Sequence, residues 1–231
     1  RGGRGVQKLT IELPDRTLAA TMVEPPGDSV GLRGLLFVHG LGSGQRSYVA
    51  RAATACRQLD AACLTFDLTG HGDSSPGREP RLRDNLADVV AAYDRLLDNP
   101  RIDPARVGVC GASYGGYLAA RLVGERSIRR LLLRAPALYD DAALDESHPR
   151  PLSKADADAS HLFVGLNRAE VEILVVESER DEVIPHAVIE TYLRNCPEAR
   201  HAVLAGAAHG LTRPEWNAAF VSLIVSWFAA L

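Results

Sequence analysis

Two kinds of hydrophobic spacing divide the chain. Val6 to Leu13 and Thr17 to Val23 alternate apolar with polar positions around Pro14-Asp15, which predicts an antiparallel hairpin at a sheet edge. Beyond the turn-rich Pro25-Pro26-Gly27-Asp28 the rhythm changes, and short apolar runs alternate with helical patterns. The runs are Leu35 to Val38, Cys63 to Phe66, Val107 to Cys110, Leu131 to Leu133, Ile173 to Val176 and Ala202 to Leu204. Strands that are apolar on successive residues are covered on both faces, the signature of a parallel sheet. Between them, Leu86, Val89, Val90, Tyr93, Leu96 and Leu97 recur three and four residues apart, predicting an amphipathic helix over Asp84 to Leu97. Tyr48 to Leu59, Tyr114 to Val123, Ala187 to Asn195 and Pro214 to Phe228 are the other predicted helices, the last opening on a proline suited to a first helical turn.

Residues 137–168 break the rhythm. Pro149, Pro151 and the polar stretch Ser153 to Ala159 make this connection longer than an ordinary crossover. It reads either as a solvated excursion with one crossover helix or as a short lid over a pocket at the sheet's carboxyl edge. No repeat or interdomain linker interrupts the remainder, so residues 1–231 are expected to form a single α/β domain.

Composition adds bounds rather than identity. A chain of 231 residues can bury about 70 to 75% of its unfolded surface without a disulfide or metal staple. The net charge of -3 gives no long-range attraction to nucleic acid, and no run approaches the ~18 apolar residues of a membrane span. Cys56, Cys63, Cys110 and Cys196 are scattered without a C-x-x-C pair, as buried thiols of a reducing compartment would be, which points to the cytoplasm. The chain begins at Arg1 rather than Met, which leaves room for a leading segment that has been removed. Nothing in the pattern sets an oligomeric state.

The chemistry concentrates at Gly111-Ala112-Ser113-Tyr114-Gly115, between an apolar run and a helical pattern. A serine between glycines at a strand-to-helix junction is a nucleophile elbow, a sharp turn that exposes the hydroxyl above the sheet and points the next helix's first amides at developing negative charge. Ser113 is the candidate nucleophile. A serine hydroxyl is protonated at neutral pH, so it needs a base, and histidine has the suitable pKa.

Four segments in this order resemble the α/β-hydrolase superfamily from about Gly34 onward: His39-Gly40-Leu41-Gly42, Gly70-His71-Gly72-Asp73-Ser74, the elbow, and the pair Asp181 and His209. The elbow Gly-x-Ser-Tyr-Gly-Gly-Tyr is similar to prolyl-oligopeptidase-like peptidases, while Asp67 to Gly72 is more similar to small carboxylesterases. The resemblance implies an α/β-hydrolase fold, with a mostly parallel sheet flanked by helices, the N-terminal hairpin and a minimal lid. It implies His209, in the small-residue loop Gly206 to Gly210, as general base, and Asp181 as the acid that orients it. Asp181 precedes Pro185 with the family's loop spacing, except that Ser178 stands where a glycine is expected; Glu179, Glu182, Asp140 and Asp141 are competing acids. It also implies an oxyanion hole from the backbone N–H groups of Leu41 and Tyr114, and structural roles for His39 and His71.

No cofactor is implied. Gly40 to Gly44 reads G-x-G-x-G rather than G-x-G-x-x-G, and neither H-E-x-x-H nor paired-cysteine spacing occurs, so no metal site is expected. The expected function is a serine carboxylesterase acting through an acyl-enzyme on small to medium ester substrates, with no nucleic-acid partner. A peptidase or amidase of the prolyl-oligopeptidase-like type, a thioester hydrolase, and a non-catalytic ligand-binding relative are the alternatives.

Overall fold

A computed structural model describes residues 5–74, 79–153 and 161–231. Strands β1 (Val6–Leu13) and β2 (Arg16–Val23) form the expected hairpin, Leu13 facing Arg16 across the two-residue turn. β2 then pairs antiparallel with β4 (Ala61–Phe66), and β4, β3 (Leu32–Val38), β5 (Ile102–Ala112), β6 (Arg130–Arg134), β7 (Glu172–Ser178) and β8 (Arg200–Leu204) are parallel neighbours in that order. Every residue of β4 and β6 is buried, including the arginines at both ends of the apolar run Leu131 to Leu133 in β6. β8 differs, because it is the edge of the sheet and is covered on one face; Val203 is 49% exposed.

Helices cover both faces. α1 (Arg46–Leu59) and α6 (Pro214–Phe228) pack on one, through Tyr48, Ala52, Phe220 and Ile224 against Leu35, Phe37 and Val176. α2 (Leu82–Leu97), α3 (Tyr114–Leu122), α4 (His161–Arg168) and α5 (His186–Asn195) pack on the other, where Val89, Tyr117, Phe163 and Tyr192 meet Leu36, Val38 and Val175. Successive residues of β3 thus feed opposite cores, the period-two consequence of a pleated strand. α2 begins at Leu82 rather than Asp84, because Asp84 sits in the first turn and its carboxylate accepts the N–H of Arg81 at 2.9 Å.

Within 137–168 the chain forms a 3-10 turn at Asp141–Asp145 and then α4; residues 154–160 lie outside the described residues. None of the described residues of this segment lines the cavity beside Ser113. All four cysteines are buried free thiols. No described helix is long and apolar enough to cross a membrane.

Candidate active site

The carboxyl edge of the sheet carries the site. β5 ends at Ala112 and α3 starts at Tyr114, leaving Ser113 alone to reverse the chain, at φ 54° and ψ −121°. A non-glycine residue in that region carries strain of order 1–3 kcal/mol and persists only where its surroundings over-determine it. Here Ser113 N–H donates to the Arg134 carbonyl at 2.9 Å, and its own carbonyl accepts from Gly116 at 2.9 Å and Ala137 at 3.0 Å. Close packing does the rest. A Cβ on Gly111 would stand 2.2 Å from the Gly115 carbonyl oxygen, so the strand and helix approach more closely than any side chain allows.

Asp181 and His209, on the loops after β7 and β8, meet. His209 Nδ1 lies 2.9 Å and 3.0 Å from the two carboxylate oxygens of Asp181. Asp181 Oδ1 also accepts the N–H groups of Val183 at 2.9 Å and Ile184 at 2.7 Å. Burial pushes this carboxyl's pKa up, but the hydrogen bonds from His209, Ile184 and Val183 outweigh it and hold Asp181 below the usual carboxylate range. The competing acids are engaged elsewhere. Glu182 accepts the backbone N–H of His209 at 3.1 Å, Glu179 that of Gly206 at 2.5 Å, and Asp141 pairs with Arg121 at 2.6 Å, while Asp140 caps the 3-10 turn.

One participant was not singled out from the sequence. Arg134, the last residue of β6, is only 7% exposed and donates from Nη1 to the His209 carbonyl at 2.9 Å and to Ser178 Oγ at 3.2 Å. The serine found where the resemblance expected glycine therefore accepts a bond from a buried cation. The signal was a charged residue closing the run Leu131-Leu132-Leu133, a position where burial of charge needs a reason.

His39 and Gly40 shape the opposite wall. His39 Nδ1 donates to the Gly40 carbonyl at 2.8 Å, and Nε2 accepts the N–H of Leu68 at 3.0 Å, an arrangement only the neutral ring can make. The Gly40 carbonyl also accepts from Ser43 at 3.2 Å. With that carbonyl held and no cis peptide present, the Leu41 N–H points the opposite way. Neither the Leu41 nor the Tyr114 N–H donates to an acceptor among the described residues. His71 stands beside His39 with ring centroids 5.2 Å apart, its Nδ1 near the Thr69 carbonyl.

Burial lowers the His39 pKa from 6.5 to about 4. As pH falls, the unfolded chain takes up this proton first, so the stability carried by the neutral ring is complete above 6.5 and is lost between 6.5 and 4. That gap corresponds to about 3 kcal/mol. Urea titrations at pH 7 and pH 4 should show a loss about 3 kcal/mol smaller in His39→Gln than in the unsubstituted protein; equal losses would contradict the assignment.

Ser113, His209, Gly40, Leu41 and Arg134 line one cavity of about 230 Å³. A larger hollow of about 620 Å³ lies at the amino edge of the sheet, beside Glu125, Arg126 and Arg129, and holds none of these residues. In open parallel sheets ligands bind outside the carboxyl ends of the strands, which favours the smaller cavity. His148, His161, His186 and His201 lie elsewhere, each beside a carboxylate of Glu79, Asp141 or Glu177. Among the described residues no cluster of His, Cys, Asp and Glu could hold a metal ion.

Sheet order, elbow and carboxyl-edge cavity together define an α/β hydrolase. The chain belongs to the alpha/beta hydrolase family, whose model matches residues 35–224. It is similar to an uncharacterized protein of Mycobacterium tuberculosis, 30% identical over an alignment of 171 residues that covers 72% of this chain and 59% of that protein. It is also similar to the quorum-quenching protein AidA of Acinetobacter baumannii, 27% identical over 88% of this chain and 66% of the relative. The chain thus spans about six-tenths of the length of these curated relatives. An esterase of Pyrococcus furiosus shares the fold, with a TM-score of 0.71 at 18% identity over 97% of this chain and 91% of that one.

Proposed function

We propose that the protein is a serine hydrolase that cleaves carboxylic esters of small to medium acids. Ser113 Oγ attacks the ester carbonyl carbon while His209 Nε2 takes its proton. The alcohol leaves with that proton, and water, activated by the same imidazole, releases the acid from Ser113. Asp181 holds Nδ1–H of His209 and stabilises the imidazolium. The N–H groups of Leu41 and Tyr114 receive the oxyanion, each such donor being worth about 2.7 to 4 kcal/mol in the transition state.

The observation that carries this reading is the pairing of His209 Nδ1 with Asp181 at 2.9 Å in a histidine that lines the same cavity as Ser113. The cavity's size supports small substrates: about 230 Å³ is below the range of roughly 300–1,000 Å³ typical of drug-sized ligands. It also disfavours peptides, whose poor leaving group needs extended binding to reach the transition state.

The test is turnover of p-nitrophenyl esters of increasing chain length, together with labelling by a fluorophosphonate probe. Acetate and butyrate esters should turn over fastest, and Ser113→Ala should abolish both turnover and labelling. A folded protein that neither reacts with the probe nor hydrolyses any ester would sink the proposal. Cleavage confined to peptide anilides would convert it to a peptidase.

A further inference from the structure

We propose that the cavity beside Ser113 is a carboxylate-accepting subsite, and that the natural ester is a small one carrying a second, ionised carboxylate bound by Arg134 and Arg51. This names the substrate class of the site and rests on the hydrolase reading above. Arg51 and Arg134 both line the cavity. They face a common ring, Phe220, with the Arg51 and Arg134 guanidinium carbons 5.4 Å and 5.9 Å from its centroid. The two like charges stand near enough for Arg51 to add its repulsion to burial in lowering the pKa of Arg134.

Neither is neutralised by the protein. Among the described residues no carboxylate oxygen lies within 4 Å of either group. Arg51 Nε donates to Asn217 Oδ1 at 2.9 Å and Nη1 to the Ser47 carbonyl at 2.9 Å, both neutral acceptors. Arg134 spends Nη1 on the His209 carbonyl and Ser178 Oγ, both neutral acceptors. Its other polar neighbour, Tyr48, is also uncharged: burial drives the phenol pKa up, so its hydroxyl keeps its proton. Asp181 favours the charged form of Arg134 by its charge alone, without an ion pair within 4 Å.

Removing a guanidinium from water without a counter-charge is costly, and burial lowers the pKa of Arg134 as that cost requires. An anion entering the cavity offsets it. A carboxylate suits the planar, forked donors best, because two parallel N–H···O bonds fix its orientation as well as its charge. Ser43 and Ser47 line the same cavity. The small volume limits the spacer between the carboxylate and the ester carbonyl to a few atoms, as in a monoester of a short dicarboxylic acid.

The experiment compares monomethyl succinate with methyl levulinate, which replaces the carboxylate by a methyl ketone of nearly the same shape. A second pair, 3-acetoxypropionate and 4-acetoxybutan-2-one, puts the charge in the alcohol half. In at least one pair, kcat/KM for the charged ester should exceed that for its neutral isostere by tenfold or more; the pair that discriminates assigns the half. Arg51→Met should bring that ratio to near one. Arg134→Met should do the same if it folds, and Arg51→Met decides the matter if it does not. Ratios near one in both pairs, or a ratio that Arg51→Met leaves intact, would overturn the subsite. Calorimetric binding to Ser113→Ala separates this from the reading it rests on. Tighter binding of the charged member of a pair by that variant, in the absence of any turnover by the unsubstituted protein, ends the hydrolase proposal but keeps the subsite. Equal binding within both pairs ends the subsite whatever the turnover.

Discussion

Replacing Asp181 with asparagine is expected to lower kcat on a short p-nitrophenyl ester by about ten-thousandfold while the protein still folds. The size of the effect follows from which oxygen the backbone claims. Oδ1 accepts two N–H groups, from Val183 at 2.9 Å and Ile184 at 2.7 Å, so an asparagine must keep its carbonyl oxygen there. Its NH2 group then occupies the place of Oδ2, 2.9 Å from His209 Nδ1. Two donors cannot share one bond, so Nδ1 must become the acceptor and the ring proton moves to Nε2. An imidazole protonated there offers the Ser113 hydroxyl a donor where catalysis needs an acceptor. Tautomer, not position, is what the substitution destroys. A thermal melt should shift modestly while kcat collapses, and retention of more than a tenth of kcat would transfer the acid's role to another residue. Glu182 is the test case: it binds the backbone N–H of His209 rather than the ring, so Glu182→Gln should cost far less.

Much of this geometry was legible before any coordinates, and the reasons are local. Short unbroken apolar runs such as Cys63 to Phe66 suit strands with both faces covered, and the three-and-four spacing from Leu86 to Leu97 lays its apolar residues on one helical stripe. Ser113 was legible because the elbow writes its steric needs into sequence as flanking glycines. The acid was narrower in resolution. Asp181, Glu179 and Glu182 sit within four positions, and only the resemblance, through the spacing to Pro185, singled out Asp181 as the carboxylate that meets the ring; that Glu179 and Glu182 take the N–H groups of Gly206 and His209 was not legible. That choice is made by the turn through Val183 and Ile184. Arg134 was less legible still. Its partners Ser178 and His209 are distant in sequence, and they become neighbours only because β6 pairs with β7 and the loop after β8 folds back over both. A charge at a strand's end is ordinarily solvated; here the sheet order makes it part of a pocket wall.

Substituting alanine for glycine should act with opposite sign at two positions in this chain, and the contrast measures how tightly the elbow is built. At Gly115 the added Cβ would stand 2.3 Å from the His39 carbonyl oxygen and 2.4 Å from that of Val38. Both are backbone atoms, so no rotamer change relieves the clash; α3 must retreat from the end of β3. Gly115→Ala is therefore expected to cost about 3 kcal/mol or more in urea unfolding, at or beyond the upper end of ordinary overpacking. At Gly165, inside α4, the nearest atom to an added Cβ is 3.9 Å away, and alanine should instead stabilise by up to about 1 kcal/mol through its helix propensity. The strain at Gly115 also has a functional direction. Tyr114 precedes it on α3, and Leu41 follows His39 on the facing loop, so separating α3 from that loop parts the two N–H groups proposed to hold the oxyanion. Any Gly115→Ala protein that folds should lose at least a hundredfold in kcat, the loss expected when one such donor is misplaced. Folded protein with kcat within tenfold of the original would show that the oxyanion is held by other groups.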